Sequence, residues 1–164
     1  MIRNPNEGER CVMGGAVAGL AGGFAVMVLM VAHAAINGMD IWPSVKGASL
    51  PFVGTSVFEP GFDFGQVWLG LTTHFAVSVV WGVVFSVVAY GLSQWNTLAA
   101  ALGWGLVVWF GMHWVVLPLL GWGAVAHSVP VNIALFEHLL FGLAMGVTFL
   151  PFQRPYIVRL PIST

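Results

Sequence analysis

Four long apolar stretches, separated by short polar or glycine- and proline-rich breaks, run along this chain of 164 residues. The apolar stretches cover residues 12–36, 67–92, 97–120 and 132–150. Each is about as long as a membrane-spanning helix, which needs roughly 20 apolar residues. Their continuous apolar character argues against a membrane barrel, whose strands of about ten residues alternate polar and apolar positions. The pattern predicts an all-α integral membrane protein with four transmembrane helices in one domain, residues 1–164.

The longest break between the apolar stretches is residues 37–66. It contains Pro43, Pro51 and Pro60 together with five glycines, and this density of proline and glycine argues against a continuous helix. Apolar residues such as Trp42 and Phe62 argue equally against a solvated linker. We therefore expect a long, partly ordered loop between the first two helices that folds back over the bundle at the membrane surface.

The composition agrees with a membrane protein. Hydrophobic residues make up 59% of the chain and charged residues only 7%, whereas a soluble domain carries about 25% charged residues. A net charge of −1 excludes the basic surface that binds nucleic acid. The single cysteine, Cys11, excludes an intramolecular disulfide and a cysteine-based zinc site. The expected partners are the lipid bilayer and other membrane subunits or further copies of the chain.

Basic residues predict how the chain is oriented in the membrane. Four arginines lie near the termini, namely Arg3, Arg10, Arg154 and Arg159, whereas Lys46 is the one basic residue of the first loop. Lysine and arginine accumulate on the cytoplasmic side of membrane proteins. We therefore expect both termini in the cytoplasm and the loop of residues 37–66 on the outside.

Two of the predicted spans repeat the pattern H-x7-G-V-x-F. The second span carries it from His74 to Phe85, and the fourth carries it from His138 to Phe149. The first and third spans share a weaker echo, a glycine followed ten residues later by His33 or His113. This periodicity predicts two tandem helical hairpins, which form a parallel repeat about an axis along the membrane normal.

The glycine-rich first span, the four-span layout and the segment EHLLFGLAMG, from Glu137 to Gly146, resemble small bacterial inner-membrane proteins of the YagU-like kind. The resemblance covers most of the chain at the level of architecture. It implies an inner-membrane location, and it implies no chemistry and no functional residues.

Glycines at four-residue spacing form two rows within the predicted helices. The first helix carries Gly15, Gly19 and Gly23, and the fourth carries Gly142 and Gly146. Small residues in such rows allow two helix backbones to approach closely in a membrane. The rows therefore predict helix interfaces.

Each predicted span contains one histidine, and the four are His33, His74, His113 and His138. Their positions place them at similar depth in the outer half of the bilayer. His33, His74 and His138 are expected on the same side of their helices as the glycines. Neutral imidazole binds heme iron, copper or zinc, so the four histidines are a candidate cofactor-binding layer. The alternative is that they hydrogen-bond across helix interfaces, with no cofactor bound. Their spacing matches no specific heme or metal motif.

Glu137 is the one acidic or basic side chain within a predicted span. It could accept a hydrogen bond from a neighbouring histidine, as carboxylates in the second shell of metal sites do. The alternative is a boundary residue whose carboxylate reaches the water at the membrane surface.

The sequence contains no phosphate-binding loop, no GxSxG nucleophile motif and no HExxH zinc motif. We therefore favour a non-catalytic polytopic membrane protein, either an oligomer or an accessory subunit of a larger membrane complex. The alternative hypothesis is a heme- or transition-metal-binding membrane module that uses the histidine layer.

Overall fold

The computed structural model of the protein describes residues 6–127 and 129–153. Within these residues, four helices are long and apolar enough to cross a membrane, and no strand is present. The predicted all-helical fold with four long apolar helices is therefore confirmed, and it indicates an integral membrane protein. Three of the arginines used for the orientation, Arg3, Arg154 and Arg159, lie outside the described residues.

The long helices are joined by shorter helical turns. The long helices are α1 (Asn6–Ile36), α4 (Phe64–Ala89), α5 (Gln94–Phe110) and α8 (Val131–Phe149). The first loop contains α2 (Trp42–Lys46), α3 (Leu50–Val53) and two 3-10 turns, Gly47–Ser49 and Gly54–Phe58. After α5 come a π-helical turn (Gly111–Val116), α6 (Leu117–Leu119) and α7 (Gly123–Ala126), and a 3-10 turn (Leu150–Phe152) follows α8.

Local residue chemistry explains where these helices begin and end. Helix α1 begins six residues before the predicted apolar span, and Glu7 and Glu9 lie in its first turn, where the helix dipole favours negative charge. Helix α4 begins at Phe64 because the Asp63 carboxylate accepts a hydrogen bond from the Gln66 amide at 2.8 Å. It ends at Ala89, shortly before Gly91, whose φ of +96° suits glycine.

Pro118 accounts for the π-helical turn at the end of α5. Proline has no amide hydrogen, and its ring clashes with the carbonyl four residues earlier in an α-helix. In the structure the Leu117 amide bonds the Met112 carbonyl, five residues earlier. The wider turn relieves the crowding around the Trp114 carbonyl. Single π-helical turns within helices are frequent at functional sites.

The four long helices pack in the order α4, α1, α8, α5. Helix α1 lies along both α4 and α8, and α5 lies along α8, whereas α4 and α5 contact each other much less. We call the end of the bundle that carries the first loop the loop end, and the opposite end the terminal end. A buried core that includes Phe85, Phe141 and Phe149 fills the terminal half and the centre.

Glycines allow α1 and α4 to lie against each other. A methyl carbon placed on Gly19 would collide with the Ser78 carbonyl oxygen and lie 2.9 Å from its carbonyl carbon. Gly82 of α4 similarly faces the backbone of Gly15 and Gly19. Gly23 lies against the Ser78 hydroxyl, 2.5 Å from the position of such a methyl carbon. The two backbones therefore touch from Gly15 to Gly19, and Gly23 continues the contact against the Ser78 side chain.

The α5–α8 pair has the same kind of contact. A methyl carbon on Gly142 would collide with the Ala101 carbonyl oxygen, and one on Gly105 would collide with the His138 carbonyl oxygen. Gly146 packs against the Ala101 methyl group. The predicted rows on α1 and α8 thus lie between helices, and Gly105 completes the second pair.

Gln153 ties the terminal end together. Its side-chain nitrogen donates to the Ala89 carbonyl at 2.8 Å and to the Thr97 hydroxyl at 2.7 Å. Its side-chain oxygen accepts from the Gly91 amide at 2.7 Å. This buried amide side chain therefore holds the end of α8 against the turn that joins α4 to α5.

Candidate functional site

A cavity of about 460 Å³ lies at the loop end of the bundle, between α4 and α5. This volume falls within the range of small-molecule sites, roughly 300–1,000 Å³. Helix α8 and the π-helical turn contribute further walls, and residues 47–52 of the first loop cover it. Apolar side chains form nearly all of its lining.

The cavity exists because α4 and α5 are held by different neighbours. Glycine contacts bind α4 to α1 and α5 to α8, which leaves α4 and α5 apart at the loop end. Nearer the terminal end, Trp81 and Trp104 close the gap with an edge-to-face contact at 5.9 Å between ring centroids. The Trp104 indole nitrogen also donates to the Trp81 carbonyl at 3.2 Å. Trp81 therefore forms the floor of the cavity, and Trp104 packs against Trp81.

Two of the four predicted histidines, His74 and His138, line this cavity. The Nε2 atom of His74 lies 2.9 Å from the Gly23 carbonyl oxygen on α1. A carbonyl only accepts hydrogen bonds, so this nitrogen carries the hydrogen. Nδ1 of His74 is therefore an acceptor in the neutral ring.

His113 and His138 form the closest pair of histidines. Their ring centroids lie 5.3 Å apart with the planes 72° from parallel. Nδ1 of His113 donates to the Trp109 carbonyl at 3.1 Å, and Nδ1 of His138 donates to the Ala134 carbonyl at 2.7 Å. In both neutral rings, Nε2 is left with a free electron pair. His113 also borders a second cavity of about 230 Å³, which extends toward α7.

His33 and Glu137 lie elsewhere, on a third cavity of about 290 Å³ between α1 and α8. The His33 side chain is exposed on the outside of the bundle, and its Nδ1 atom is 3.4 Å from the Asn37 side-chain nitrogen. Glu137 is on the same cavity as His33 rather than beside His74 or His113. Neighbouring residues of a helix point about 100° apart, so Glu137 and His138 face different helices.

The four predicted histidines therefore do not form one layer. His113 and His138 contact each other, His74 shares the main cavity with His138, and His33 is separate. Across residues 6–127 and 129–153, no group of three or more histidine, cysteine, aspartate or glutamate side chains could hold a metal ion.

Comparison with known proteins places the chain in a family. The model of a family of unknown function, DUF6789, matches residues 10–156. The chain belongs to the DUF6789 family. This model is not that of the YagU-like group, so the resemblance to that group extends only to the small size and the four apolar helices. No curated protein and no solved structure matches the chain.

Sequence reasoning on this DUF6789 protein missed the burial of Lys46. Only 2% of its surface is exposed, and its amino group donates to the carbonyls of Glu59 at 2.7 Å and Gly61 at 3.1 Å. The side chain thereby joins α2 to residues 59–61, shortly before α4 begins. The available signal was the isolated position of Lys46 among apolar residues of the loop.

Asp40 makes further hydrogen bonds within the first loop. Its carboxylate accepts hydrogen bonds from the Gly61 and Trp42 amides. The Gly61 amide, then the Trp42 amide and the nearby charge of Lys46, lower the pKa of Asp40 below its usual value of 3.8. The carboxylate is therefore ionised at neutral pH, where it joins the start of the loop to the turn before α4.

Proposed function

We propose that this DUF6789 protein is a non-catalytic integral membrane protein that works as an assembly, through contacts of its α5 surface. The favoured assembly is a homo-oligomer, and an accessory role beside another membrane subunit is the alternative. One glycine of α5, Gly103, carries the proposal. A methyl carbon placed there would meet no atom of residues 6–127 and 129–153 within 4 Å.

Gly103 differs from the other glycines in the middle of the long helices. Those glycines lie against backbone or side chains of a neighbouring helix, as Gly19, Gly82 and Gly142 do. Glycine costs about 1 kcal/mol relative to alanine within a helix, and close helix contact is the usual compensation in a membrane. Among the described residues, Gly103 has no such contact. A helix from outside the chain would supply it.

The surface around Gly103 has the shape that a second helix requires. Ala99 and Gly103 are exposed and lie four residues apart, which gives a small-xxx-small pair. Larger apolar side chains flank the pair, namely Leu102, Leu106, Val107 and Phe110, all of them at least 40% exposed. We call these six residues the α5 surface. Its centre is a shallow groove with apolar edges.

The orientation, location and repeat are proposed as follows. The termini lie in the cytoplasm of a bacterial inner membrane, with the first loop on the outside, because basic residues concentrate near the two ends of the sequence. The partners are lipid and membrane-embedded protein, and nucleic acid is not among them. The two glycine-packed pairs, α1 with α4 and α5 with α8, support the tandem-hairpin arrangement.

A substitution at Gly103 tests the assembly. Leucine at this position fills the groove and should reduce the oligomer to monomer without unfolding the chain, since nothing within the chain is crowded. Size-exclusion chromatography with light scattering measures the mass of the protein in detergent. Val80→Leu is the control, because Val80 lies 60% exposed on α4 and away from the α5 surface.

Cysteine cross-linking distinguishes the two kinds of assembly. In a Cys11→Ala background, Gly103→Cys should form a disulfide-linked dimer in native membranes, and Val80→Cys should not. A cross-link of Gly103→Cys to a different protein would replace the homo-oligomer by the accessory-subunit alternative. A monomeric wild type in membranes, with no cross-link at position 103, would refute assembly through the α5 surface.

The contact between His113 and His138 favours a second candidate function, a heme- or transition-metal-binding module. Both rings donate Nδ1 to a backbone carbonyl, the arrangement that commonly fixes the tautomer of metal-binding histidines. Copper or heme iron could bind the free Nε2 of His138, with His113 or His74 as a further ligand. The rings lie on α5 and α8, so such a group would join two helices.

Glutamine substitution tests this candidate. An amide keeps a hydrogen bond but is a poor ligand for heme iron or copper, so His138→Gln should lose the bound group as fully as His138→Ala. His33→Gln is the matched control and should retain it, because His33 lies on a different cavity. Metal analysis and the visible spectrum of the purified protein provide the measurement. Wild-type protein without metal or a heme spectrum would refute the candidate.

A further inference from the structure

We propose that the cavity between α4 and α5 is a binding site for a lipid-soluble hydroquinone. This inference goes beyond the assembly proposal and does not depend on it, because the α5 surface and the cavity involve different residues.

The size and lining of the cavity favour an apolar, ring-shaped occupant. At about 460 Å³ it accommodates a small organic molecule. Aromatic side chains face it from three elements, namely Phe52 from the first loop, Trp81 from α4 and Phe141 from α8. Aromatic side chains pack well against a planar ring, edge-on or offset. In the part of the chain that the structure describes, no charged side chain lines the cavity, which disfavours an ionic ligand.

The position of the cavity suits a ligand that arrives from lipid. It lies between two long apolar helices that contact each other little, and the first loop covers its end with Ala48, Leu50 and Pro51. The tail of an amphiphilic molecule can therefore extend between α4 and α5 into the bilayer. Its ring would lie beneath the loop and above Trp81, which forms the floor of the cavity.

Hydrogen bonding selects the chemistry of the ring substituents. His74 donates through Nε2 to Gly23, and His138 donates through Nδ1 to Ala134. An unpaired charge within a membrane is costly, so both rings are neutral and each keeps one acceptor nitrogen. No donor within the described residues bonds these two nitrogens. A ligand with hydroxyl groups can donate to them.

A hydroquinone has both features, since it combines a planar ring with two hydroxyl donors. The oxidised quinone has the same shape and only carbonyl acceptors, so it leaves the two imidazole acceptors without a hydrogen. A cavity lined by unpaired acceptors disfavours a ligand that lacks the matching donor. A long-chain alcohol shares the hydroxyl chemistry and lacks the ring, which makes it the competing occupant.

The experiment measures binding to the full chain in lipid nanodiscs with three probes, decylubiquinol, decylubiquinone and 1-dodecanol. We expect decylubiquinol to bind about tenfold more tightly than decylubiquinone, the effect of about one buried hydrogen bond. Dodecanol should compete weakly. Competition by dodecanol at equal concentration would replace the hydroquinone by an aliphatic alcohol and overturn the assignment.

Substitutions in the cavity lining test the steric fit of the ligand and its hydrogen bonding separately. Ala48→Trp, in the loop covering, fills the cavity and should weaken binding of quinol and quinone alike by at least roughly tenfold, by steric exclusion. Thr55→Trp is its control, because Thr55 is an exposed residue of the same loop that does not line the cavity.

His138→Phe keeps a ring and removes the acceptor, so quinol affinity should fall toward that of quinone. His138→Gln, which retains an acceptor, should keep part of the preference.

Three further results would overturn the proposal. Equal binding of quinol and quinone to the wild type would remove the role of the imidazole acceptors. Unchanged quinol binding to Ala48→Trp would place the ligand outside this cavity, and that result remains decisive even where His138→Phe fails to fold. Absence of binding by all three probes would also refute it. Monomeric behaviour of Gly103→Leu bears only on the assembly.

Discussion

Gly19→Ala is expected to destabilise the folded protein strongly, although the change adds only a methyl group. That methyl carbon would collide with the Ser78 carbonyl oxygen and lie 3.0 Å from the Val79 Cα atom. Both are backbone atoms of α4, so relief requires the two helices to separate. Overpacking of this kind costs about 1–3 kcal/mol, and Gly19→Leu should exceed this range. Titration with a denaturing detergent, monitored by circular dichroism, measures the free energy of unfolding.

Gly103→Ala provides the matched control for this prediction. It makes the same chemical change in a long helix, at a position where the added methyl group meets nothing within 4 Å. The folded monomer should be unaffected or slightly more stable, because alanine is favoured over glycine in a helix by about 1 kcal/mol. Equal stability of the Gly19 and Gly103 variants would contradict the direct contact between α1 and α4.

Lys46→Met is expected to release the first loop. Methionine occupies a similar volume, but it cannot donate to the carbonyls of Glu59 and Gly61. Loss of hydrogen bonds from a charged group costs about 1.5–3 kcal/mol. We expect faster amide hydrogen exchange over residues 40–63, with little change in α1 and α8. Hydrogen-exchange mass spectrometry in detergent measures this difference.

Thr55→Met serves as the control for the loop, since Thr55 is exposed and takes no part in the hydrogen bonds of Lys46 and Asp40. Its exchange should match the wild type. If the Lys46 variant also matched the wild type, the contacts of the loop with α4, such as the packing of Gly70 against the Val45 carbonyl, would be sufficient to hold it.

Four apolar helices and their approximate limits could be predicted from the sequence because these properties are local. A run of about 20 apolar residues has to form a helix in lipid, since a helix satisfies its own backbone hydrogen bonds. Local chemistry also sets the ends, as Asp63 and Gly91 do for α4. The first helix extends past its apolar run to Asn6, because polar residues outside the lipid can continue a helix that has already formed.

The histidine positions show what could not be predicted. One histidine in each span suggested a single layer, and in the structure they divide among three cavities. Depth along a helix follows from residue number, but the direction of a side chain also depends on how the helix is rotated about its axis. That rotation placed His33 on the outside and brought His113 beside His138.

The sequence by itself determined that the chain forms apolar helices, where they begin and end within a turn or two, and which of them carry small residues. Only the tertiary structure decided the neighbours and faces of those helices. Gly103 and Gly105 are two residues apart, yet one is exposed and the other lies against α8. In water, polar residues mark the outer face of a helix, whereas lipid is as apolar as the protein core. The inner and outer faces of a membrane helix therefore have similar apolar sequences. Only the packing of helix backbones against each other shows which face is buried.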